Sequence, residues 1–140
     1  MLEKKYNLIT LWDVIEHIYD LNDILTIISN LLDDDGFLVI NIPDIDSFPA
    51  SLMGKFWPMF LDVHLHYFNC NSICNLLSKH DFILVTSYNY FQCLEMGYIL
   101  KRGFKHIFGI NLHPYIESLL NFKISYYIGQ RTYVFKKNNF

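Results

Sequence analysis

The sequence predicts an α/β fold in which parallel strands alternate with helices. Residues 6–12, filled mainly by apolar side chains, predict a buried strand, and the continuous apolar run over residues 36–43 is typical of a parallel strand that is covered on both faces. Between them, residues 22–32 place apolar side chains at helical spacing, and Asp20 or Asn22 is available to cap that helix. Strand, helix and strand therefore predict one right-handed βαβ unit.

Local patterns also predict the elements after this unit. Three acids at 33–35 are expected to end the first helix, because negative charge opposes the helix dipole there, and Gly36 is expected to supply the turn. Two stretches around Gly129 and Gln130 predict a C-terminal β-hairpin. The remaining predicted elements are a helix over 71–79, a strand over 82–89, and helical pieces over 93–101 and 113–121 within a helical insertion at 90–121.

Composition indicates one domain with ample material for a hydrophobic core. The chain has 140 residues, of which 52% are hydrophobic and 17% aromatic. The net charge of −3 and the absence of a long basic run argue against binding to nucleic acid through general electrostatics. We therefore expect a small-molecule substrate and no nucleic-acid partner.

Targeting signals and disulfides are not predicted. No stretch approaches the roughly 18 apolar residues of a membrane span, and the first lysines are not followed by the apolar h-region of a signal peptide. The three cysteines, Cys70, Cys74 and Cys93, form no CxxC pair, which favours reduced thiols. We expect a cytoplasmic protein without a membrane span.

An irregular stretch over residues 44–69 is rich in bulky side chains. These are Phe48, Met53, Phe56, Trp57, Pro58, Met59 and Phe60. Loops with so much apolar surface usually cover something, and long loops are often functional. Two interpretations stand with equal weight: a loop that covers the substrate, and a surface segment that only packs.

Asp13, Glu16 and His17 directly follow the first strand. Chemistry often lies there, because the carboxyl ends of parallel strands open onto a crevice. At spacings of i, i+3 and i+4 the three side chains share one face of a helical turn. Two carboxylates and an imidazole suit Mg²⁺, Mn²⁺ or zinc, with His64 or His66 available to complete the shell. The alternative is a network of caps and hydrogen bonds.

His17 is also a candidate catalytic base without a metal. Its unperturbed pKa of ~6.5 suits proton transfer from a substrate hydroxyl. A histidine that is hydrogen-bonded within the loop is an equally weighted interpretation.

Two further clusters have mainly structural interpretations. His64, His66, Cys70 and Cys74 match none of the common zinc spacings, so the cysteines are interpreted as small apolar residues. A basic cluster, Lys101, Arg102, Lys105 and His106, is interpreted first as a solvated helix face and second as a contact for an anion. The chain contains no nucleophile elbow, GxGxxG motif or P-loop.

Four segments in order carry a resemblance to a known family: YNLITLWDVIEHI, DDDGFLVINIPD, FWPMFLDVHLHYFN and ICNLLSKHDFILV. Together they resemble the C-terminal half of a class I S-adenosylmethionine-dependent methyltransferase of the ubiquinone-biosynthesis-like group, over residues 6–88. The pair Asp35-Gly36 stands where that family has two glycines. His80-Asp81-Phe82 stands where it has Ala-Gly-Phe.

The resemblance implies a partial Rossmann-like methyltransferase sheet without the N-terminal cofactor-binding half, in a single incomplete domain over 1–140. It implies S-adenosylmethionine as the cofactor, with Leu11 and Trp12 against its methionine part. The family's glycine-rich loop and the acid that holds the ribose have no counterpart in this chain. Fragment, degenerate remnant and one half of a split enzyme stay open as explanations.

The resemblance also implies a set of metal ligands. Some relatives hold a divalent metal with an acid-x-x-Glu-His motif and a later histidine. The matching positions here are Asp13, Glu16, His17 and His64, with His66 as the alternate. Such a metal would bind the acceptor oxygen and lower its pKa. Asp13 replaces the more usual glutamate, so its reach to a metal is shorter.

The implied function is methyl transfer to oxygen or nitrogen of a small, sugar-like or hydroxylated molecule, weak or inactive in this chain alone. The first strand would have an open edge, so a homodimer or pairing with a missing N-terminal half is expected. The alternative is a non-catalytic methyltransferase-like interaction module or a subunit of a split enzyme, because a fold does not guarantee a function.

Overall fold

The computed structural model describes residues 5–111, 113, 120 and 122–138. Four strands lie in one mixed sheet: β1 (Tyr6–Trp12), β2 (Leu32–Pro43), β3 (Phe82–Glu95) and β4 (Lys123–Lys137). Their order across the sheet is β1-β2-β4-β3. β1 and β2 run parallel, whereas β4 runs antiparallel to both of its neighbours. One of these three pairings is therefore parallel and two are antiparallel.

Within the described ranges, four α-helices connect the strands: α1 (Leu21–Leu31), α2 (Phe48–Met53), α3 (Cys70–Ser78) and α4 (Met96–Phe108). Short 3-10 turns span Ile15–His17 and Gly54–Phe56. α1 begins after Asp20, whose Oδ1 accepts hydrogen bonds from two backbone N–H groups at 3.1 Å. This satisfies donors that a helix start leaves unpaired. The predicted β1–α1–β2 unit is confirmed, and of the two candidate caps, Asp20 and Asn22, Asp20 is the one used. The prediction that β1 is buried is wrong, because β1 is an edge strand and none of its residues is buried.

The core lies between the sheet and helices α1 and α3. Leu38, Ile40 and Ile42 alternate along β2 and are fully buried, because successive strand residues point to opposite faces. They cluster with buried side chains from the two helices, including Leu25 and Leu77. On the other face of β2, Phe37 is exposed and Val39 half-buried, whereas Asn41 and Pro43 are buried. The strand is therefore covered on both faces only toward its carboxyl end.

The join between α1 and β2 differs from the prediction. β2 starts at Leu32, so residues 33–35 lie in the strand instead of ending the helix. The register with β1 shifts here, since Tyr6 pairs with Leu32 and Leu8 with Phe37. A Cβ on Gly36 would lie 2.8 Å from Leu32 Cδ2. Gly36 is therefore needed for a close approach inside the strand rather than for a turn.

The predicted C-terminal hairpin is wrong. Residues 123–137 form the single strand β4, which pairs with β3 over most of its length. Gly129 has a φ of +99° and lies at a register shift, where the pairing passes from Tyr90–Gln130 to Phe91–Tyr127. It is a bulge, which bends a strand without reversing it. β3 correspondingly extends to Glu95, beyond the predicted end at residue 89.

The helical insertion is only partly covered by the structure. The helix predicted over 93–101 begins at Met96 and continues to Phe108, because β3 occupies the preceding residues. The helix predicted over 113–121 falls largely on residues outside the described part. Within the described part, no helix has the length and apolar character needed to cross a membrane.

One edge of the sheet is open at β1. In the described ranges β1 pairs with β2 alone, and Leu8 and Trp12 are 54% and 45% exposed. An edge strand presents unpaired N–H and C=O groups that another strand can bind.

Gly129→Ala is expected to destabilise the protein by about 2 kcal/mol, since the positive φ of Gly129 is strained for alanine. The new Cβ would also collide with Ser47 Oγ and lie 3.1 Å from Trp57 Cζ2. Ser47 Oγ caps α2 by accepting from the Ala50 N–H, so its displacement also weakens that cap. Urea unfolding measures the change. Gly109→Ala is the control, because Gly109 also has a positive φ but open space around it. Equal losses of unfolding free energy in Gly129→Ala and Gly109→Ala would contradict the proposed collision.

Candidate functional site

Asp13 lies where the carboxyl ends of β1 and β2 meet. Its φ of +51° is uncommon for a residue with a side chain and turns the chain out of β1. Its backbone N–H donates to the Asn41 carbonyl at 3.1 Å. Trp12, Asp13 and Asn41 line a cavity of ≈ 500 Å³ at this edge. The first strand thus delivers polar groups to a crevice, as predicted from its position.

A chain of side-chain hydrogen bonds from the antiparallel strands β3 and β4 holds the Asp13 carboxylate. Tyr126 OH donates to Gln92 Oε1 at 2.7 Å, Gln92 Nε2 donates to Gln130 Oε1, and Gln130 Nε2 donates to Asp13 Oδ1. Burial raises the pKa of Asp13, while the Gln130 hydrogen bond and the nearby His64 and His17 lower it. Three polar residues far along the chain therefore fix one carboxylate.

Glu16 is buried without an external partner for its carboxylate. The residue is 1% exposed, and neither carboxylate oxygen has a hydrogen-bond partner among the described residues. Burial, aided by the charge of Asp13, raises its pKa. Its backbone carbonyl accepts hydrogen bonds from the Leu65 and His66 N–H groups at 2.8 and 3.2 Å. A buried carboxylate of this kind is costly unless a cation or a proton neutralises it.

His17 and His64 face each other next to Glu16. Their ring centroids are 4.7 Å apart. His17 Nδ1 lies 3.0 Å from the Val63 carbonyl. Because a carbonyl only accepts, Nδ1 carries a proton, and in the neutral ring Nε2 is then the nitrogen with the lone pair. Burial and the neighbouring His17 lower the pKa of His64, and its buried Nδ1 has no partner in the described part of the chain.

Glu16, His17 and His64 are a group of described residues that could hold a metal ion. Each offers one ligand atom, and these atoms lie within 4.8 Å of one another. A carboxylate oxygen and two neutral imidazoles suit Zn²⁺, Mn²⁺ or a similar ion. The unpartnered oxygens of Glu16 and Nδ1 of His64 are the groups that such an ion would satisfy.

The other predicted site residues are placed differently. Asp13 lies outside the three-residue group, with its Oδ1 held by Gln130. His66 Nε2 lies 3.0 Å from the carbonyl of Ile18, the residue that follows the 3-10 turn Ile15–His17. The His66 ring therefore links the 44–69 segment to that turn. Trp12 lines the smaller cavity and packs edge-on against Tyr90, with the two ring centroids 5.3 Å apart. Leu11 packs against the core.

A second, larger cavity of ≈ 1030 Å³ adjoins the first. Asp13, Gln92 and Tyr98 line both cavities. One wall of the larger cavity comes from the 44–69 segment, whose buried Trp57 donates its Nε1–H to the Ile128 carbonyl at 2.7 Å. The opposite wall comes from α4. Sequence patterns gave no signal for Gln92 or Gln130, because isolated polar residues in a strand resemble solvent-facing positions.

The profile of a family described as a methyltransferase domain matches residues 2–87. No curated protein matches the chain significantly.

Solved structures of similar fold are S-adenosylmethionine-dependent methyltransferases from Thermotoga maritima and Clostridium acetobutylicum, with TM-scores of 0.57 and 0.56 and identities of 17% and 12%. Each match covers 99% of this chain, but 60% and 61% of those proteins. A third is magnesium protoporphyrin IX methyltransferase from Synechocystis with bound SAH, at 12% identity and a TM-score of 0.53, covering 98% of this chain and 47% of that protein.

The chain thus spans less than two thirds of these structural relatives, and at such low identity the likeness shows the fold alone. The family match covers more than half of the chain. The chain belongs to the methyltransferase domain family and has the fold of the class I S-adenosylmethionine-dependent methyltransferases.

Proposed function

We propose that this chain forms the acceptor-binding side of an S-adenosylmethionine-dependent methyltransferase that methylates oxygen or nitrogen of a small molecule. The observation that carries the proposal is the pair of adjoining cavities that share Asp13. The smaller cavity lies at the carboxyl ends of parallel strands, where ligands bind in open α/β sheets. A cofactor there would direct its methyl group toward an acceptor in the larger cavity.

Charge around the shared position suits the sulfonium of the cofactor. The Asp13 carboxylate, oriented by Gln130, would stabilise a positive sulfur nearby. Trp12 lies beside it in the same cavity, and an indole face attracts cations. These two residues are our proposed contacts on the methyl-donor side, and Leu11 supports β1 from within the core.

His17 is our proposed catalytic base. The acceptor oxygen or nitrogen attacks the methyl carbon in line, the carbon–sulfur bond breaks, and its electron pair stays on sulfur as a neutral thioether. The acceptor proton passes to His17 Nε2, the nitrogen left with a lone pair by the Val63 contact. His17 lines the larger cavity, where the acceptor would lie.

A metal at Glu16, His17 and His64 is the competing assignment for the same residues. When bound, a divalent cation would act as a Lewis acid that lowers the pKa of an acceptor hydroxyl. His17 would then serve as a ligand and not as the base, since both roles use Nε2. Asp13 and Gln130 keep their roles in either case.

We further infer that a second protein segment packs against the open edge of β1 and completes the cofactor site. The unpaired edge and the exposed Leu8 side chain support this. The segment would belong to an N-terminal half, to a separate subunit or to a second copy of the chain. If no cofactor binds, the same edge favours the alternative of a non-catalytic interaction module.

Isothermal titration with S-adenosylhomocysteine tests the proposal. Wild-type protein is expected to bind it, and Trp12→Ala is expected to weaken binding by about tenfold, because base- or cation-facing aromatic contacts contribute about 1 kcal/mol or more. Tyr19→Ala is the control, since it also removes an exposed aromatic side chain but lies outside the lining of both cavities. Absence of heat with the wild type, or equal affinities for both variants, would refute the assignment.

A further inference from the structure

Tyr126, Gln92 and Gln130 share one face of the sheet because β4 bulges between residues 126 and 130. Tyr126 pairs with Gln92, and Gln130 pairs with Tyr90, while the pairing skips residues 128 and 129 of β4. Residues 90 and 92 point to the same face, so the two β4 residues opposite them do so as well. Gln92 therefore reaches Tyr126 directly across the strands and Gln130 diagonally, whereas an unbulged β4 would bring residue 128 opposite Gln92.

The three side-chain hydrogen bonds that lead from Tyr126 to Asp13 all run in one direction. An ionised carboxylate only accepts, so Gln130 presents its Nε2 to Asp13. Gln130 Oε1 then faces Gln92, which presents its own Nε2 and keeps Oε1 for a further donor. The Tyr126 hydroxyl is that donor, at 2.7 Å. The orientation of each amide is therefore linked to the orientation of the next.

The Tyr126 hydroxyl fixes the start of this order. Without it, Gln92 Oε1 would lose the donor that the structure shows, and a turn of the Gln92 amide would place its oxygen against Gln130 Oε1. Gln130 is 1% exposed, so water has little access to compensate. A turned Gln130 would direct its oxygen at the Asp13 carboxylate, and two acceptors in contact repel each other. Removal of one hydroxyl therefore disturbs the carboxylate at the far end of the chain of hydrogen bonds.

We propose that Tyr126 is a positioning residue for the methyl transfer: through Gln92 and Gln130, its hydroxyl holds the Asp13 carboxylate toward the sulfonium of the cofactor. This role rests on the proposed function, which assigns Asp13 to the sulfonium. Asp13 and Gln92 line both cavities, and Tyr126 and Gln130 line the larger one. The chain of hydrogen bonds thus runs from the acceptor side to the methyl-donor side, and Tyr126 acts on the smaller cavity, whose lining does not include it.

Binding of two cofactor forms in the absence of any acceptor tests this role. Isothermal titration compares S-adenosylmethionine, whose sulfur is positive, with S-adenosylhomocysteine, whose sulfur is neutral. Tyr126→Phe is expected to weaken the binding of S-adenosylmethionine about fivefold, as for the loss of one hydrogen bond, and that of S-adenosylhomocysteine less than about twofold. A merely structural role of the hydroxyl would weaken the binding of both forms equally, because they differ only in the methyl group and its charge.

A double-mutant cycle tests whether Tyr126 acts through Gln92. Gln92→Leu breaks the chain of hydrogen bonds at its centre and is expected to weaken the binding of S-adenosylmethionine about tenfold. Adding Tyr126→Phe to Gln92→Leu should weaken that binding no further, because the hydroxyl then has no path to Asp13.

Tyr127→Phe is the matched control and should bind both cofactor forms like the wild type. The Tyr127 hydroxyl donates to Asn89 Oδ1 at 3.3 Å, and Tyr127 lines neither cavity. An unchanged affinity of Tyr126→Phe, equal weakening of the two cofactor forms, additive losses in the double variant, or the same loss in Tyr127→Phe would overturn the role of Tyr126. Each of these outcomes leaves the methyltransferase assignment intact, because the wild type still binds the cofactor. A wild type that binds neither form would overturn both proposals.

Discussion

Trp57→Ala is expected to lower the free energy of unfolding by about 3–5 kcal/mol, the range for removing a large buried aromatic side chain. Trp57 is 1% exposed and lies on a segment with little regular structure. Its Nε1–H donates to the Ile128 carbonyl at the bulge of β4, and its ring lies beside Gly129. One side chain therefore fastens the 44–69 segment to the sheet and shapes the larger cavity.

Urea unfolding measures this loss. Phe56→Ala is the matched control, because the neighbouring Phe56 is 59% exposed and its removal is expected to cost less than about 0.5 kcal/mol. Trp57→Phe should lie between them, since it keeps most of the apolar contact and loses the hydrogen bond. Similar losses for the alanine variants at 56 and 57 would mean that Trp57 does not anchor the segment.

Glu16→Gln is expected to weaken Zn²⁺ or Mn²⁺ binding more than about 100-fold, because even outer-shell partners of metal ligands account for 10–100-fold. The substitution keeps the size of the side chain and removes the charge that the cation would neutralise. Isothermal titration of the metal alone measures the effect. Asp62→Asn is the control, since it removes a carboxylate from the 44–69 segment outside the three-residue group. Equal metal affinities of Glu16→Gln and Asp62→Asn, or no metal binding by the wild type, would reject the metal site. His17 would then keep its proposed role as the catalytic base.

The pH dependence of folding stability gives a second, independent test of the buried Glu16 carboxylate. Burial raises the pKa of Glu16 above its ordinary value of 4.5, so folding favours its neutral form. In metal-free protein this stabilising contribution is present below the unfolded pKa and is lost as pH rises through the folded pKa. Stability of Glu16→Gln relative to the wild type should therefore rise with pH over that interval. Metal affinity of the wild type should rise over the same interval, because binding displaces the proton.

Local patterns were sufficient for β1 and α1, although not for the start of β2. An apolar run bounded by polar residues predicted β1 with its observed bounds, Tyr6–Trp12, and an N-cap residue before a helical repeat predicted α1. These signals are local because strands and helix starts depend on neighbouring residues. Glu16 and His17 are neighbours in the sequence, so their proximity also follows from local sequence.

Long-range pairing decided the rest. Gln130 reaches Asp13 across 117 residues, and His64 meets His17 only because Leu65 and His66 bond to the Glu16 carbonyl. No local repeat encodes such contacts.

The sequence alone determined that a parallel βαβ unit delivers acids and an imidazole to one edge of a sheet, and that its motifs resemble methyltransferases. Only the tertiary structure decided that Gly129 makes a bulge instead of a hairpin turn, and that Gln130 orients Asp13. The physical reason is that side-chain periodicity reports which face of an element is buried, whereas register and packing between distant elements decide which side chains meet.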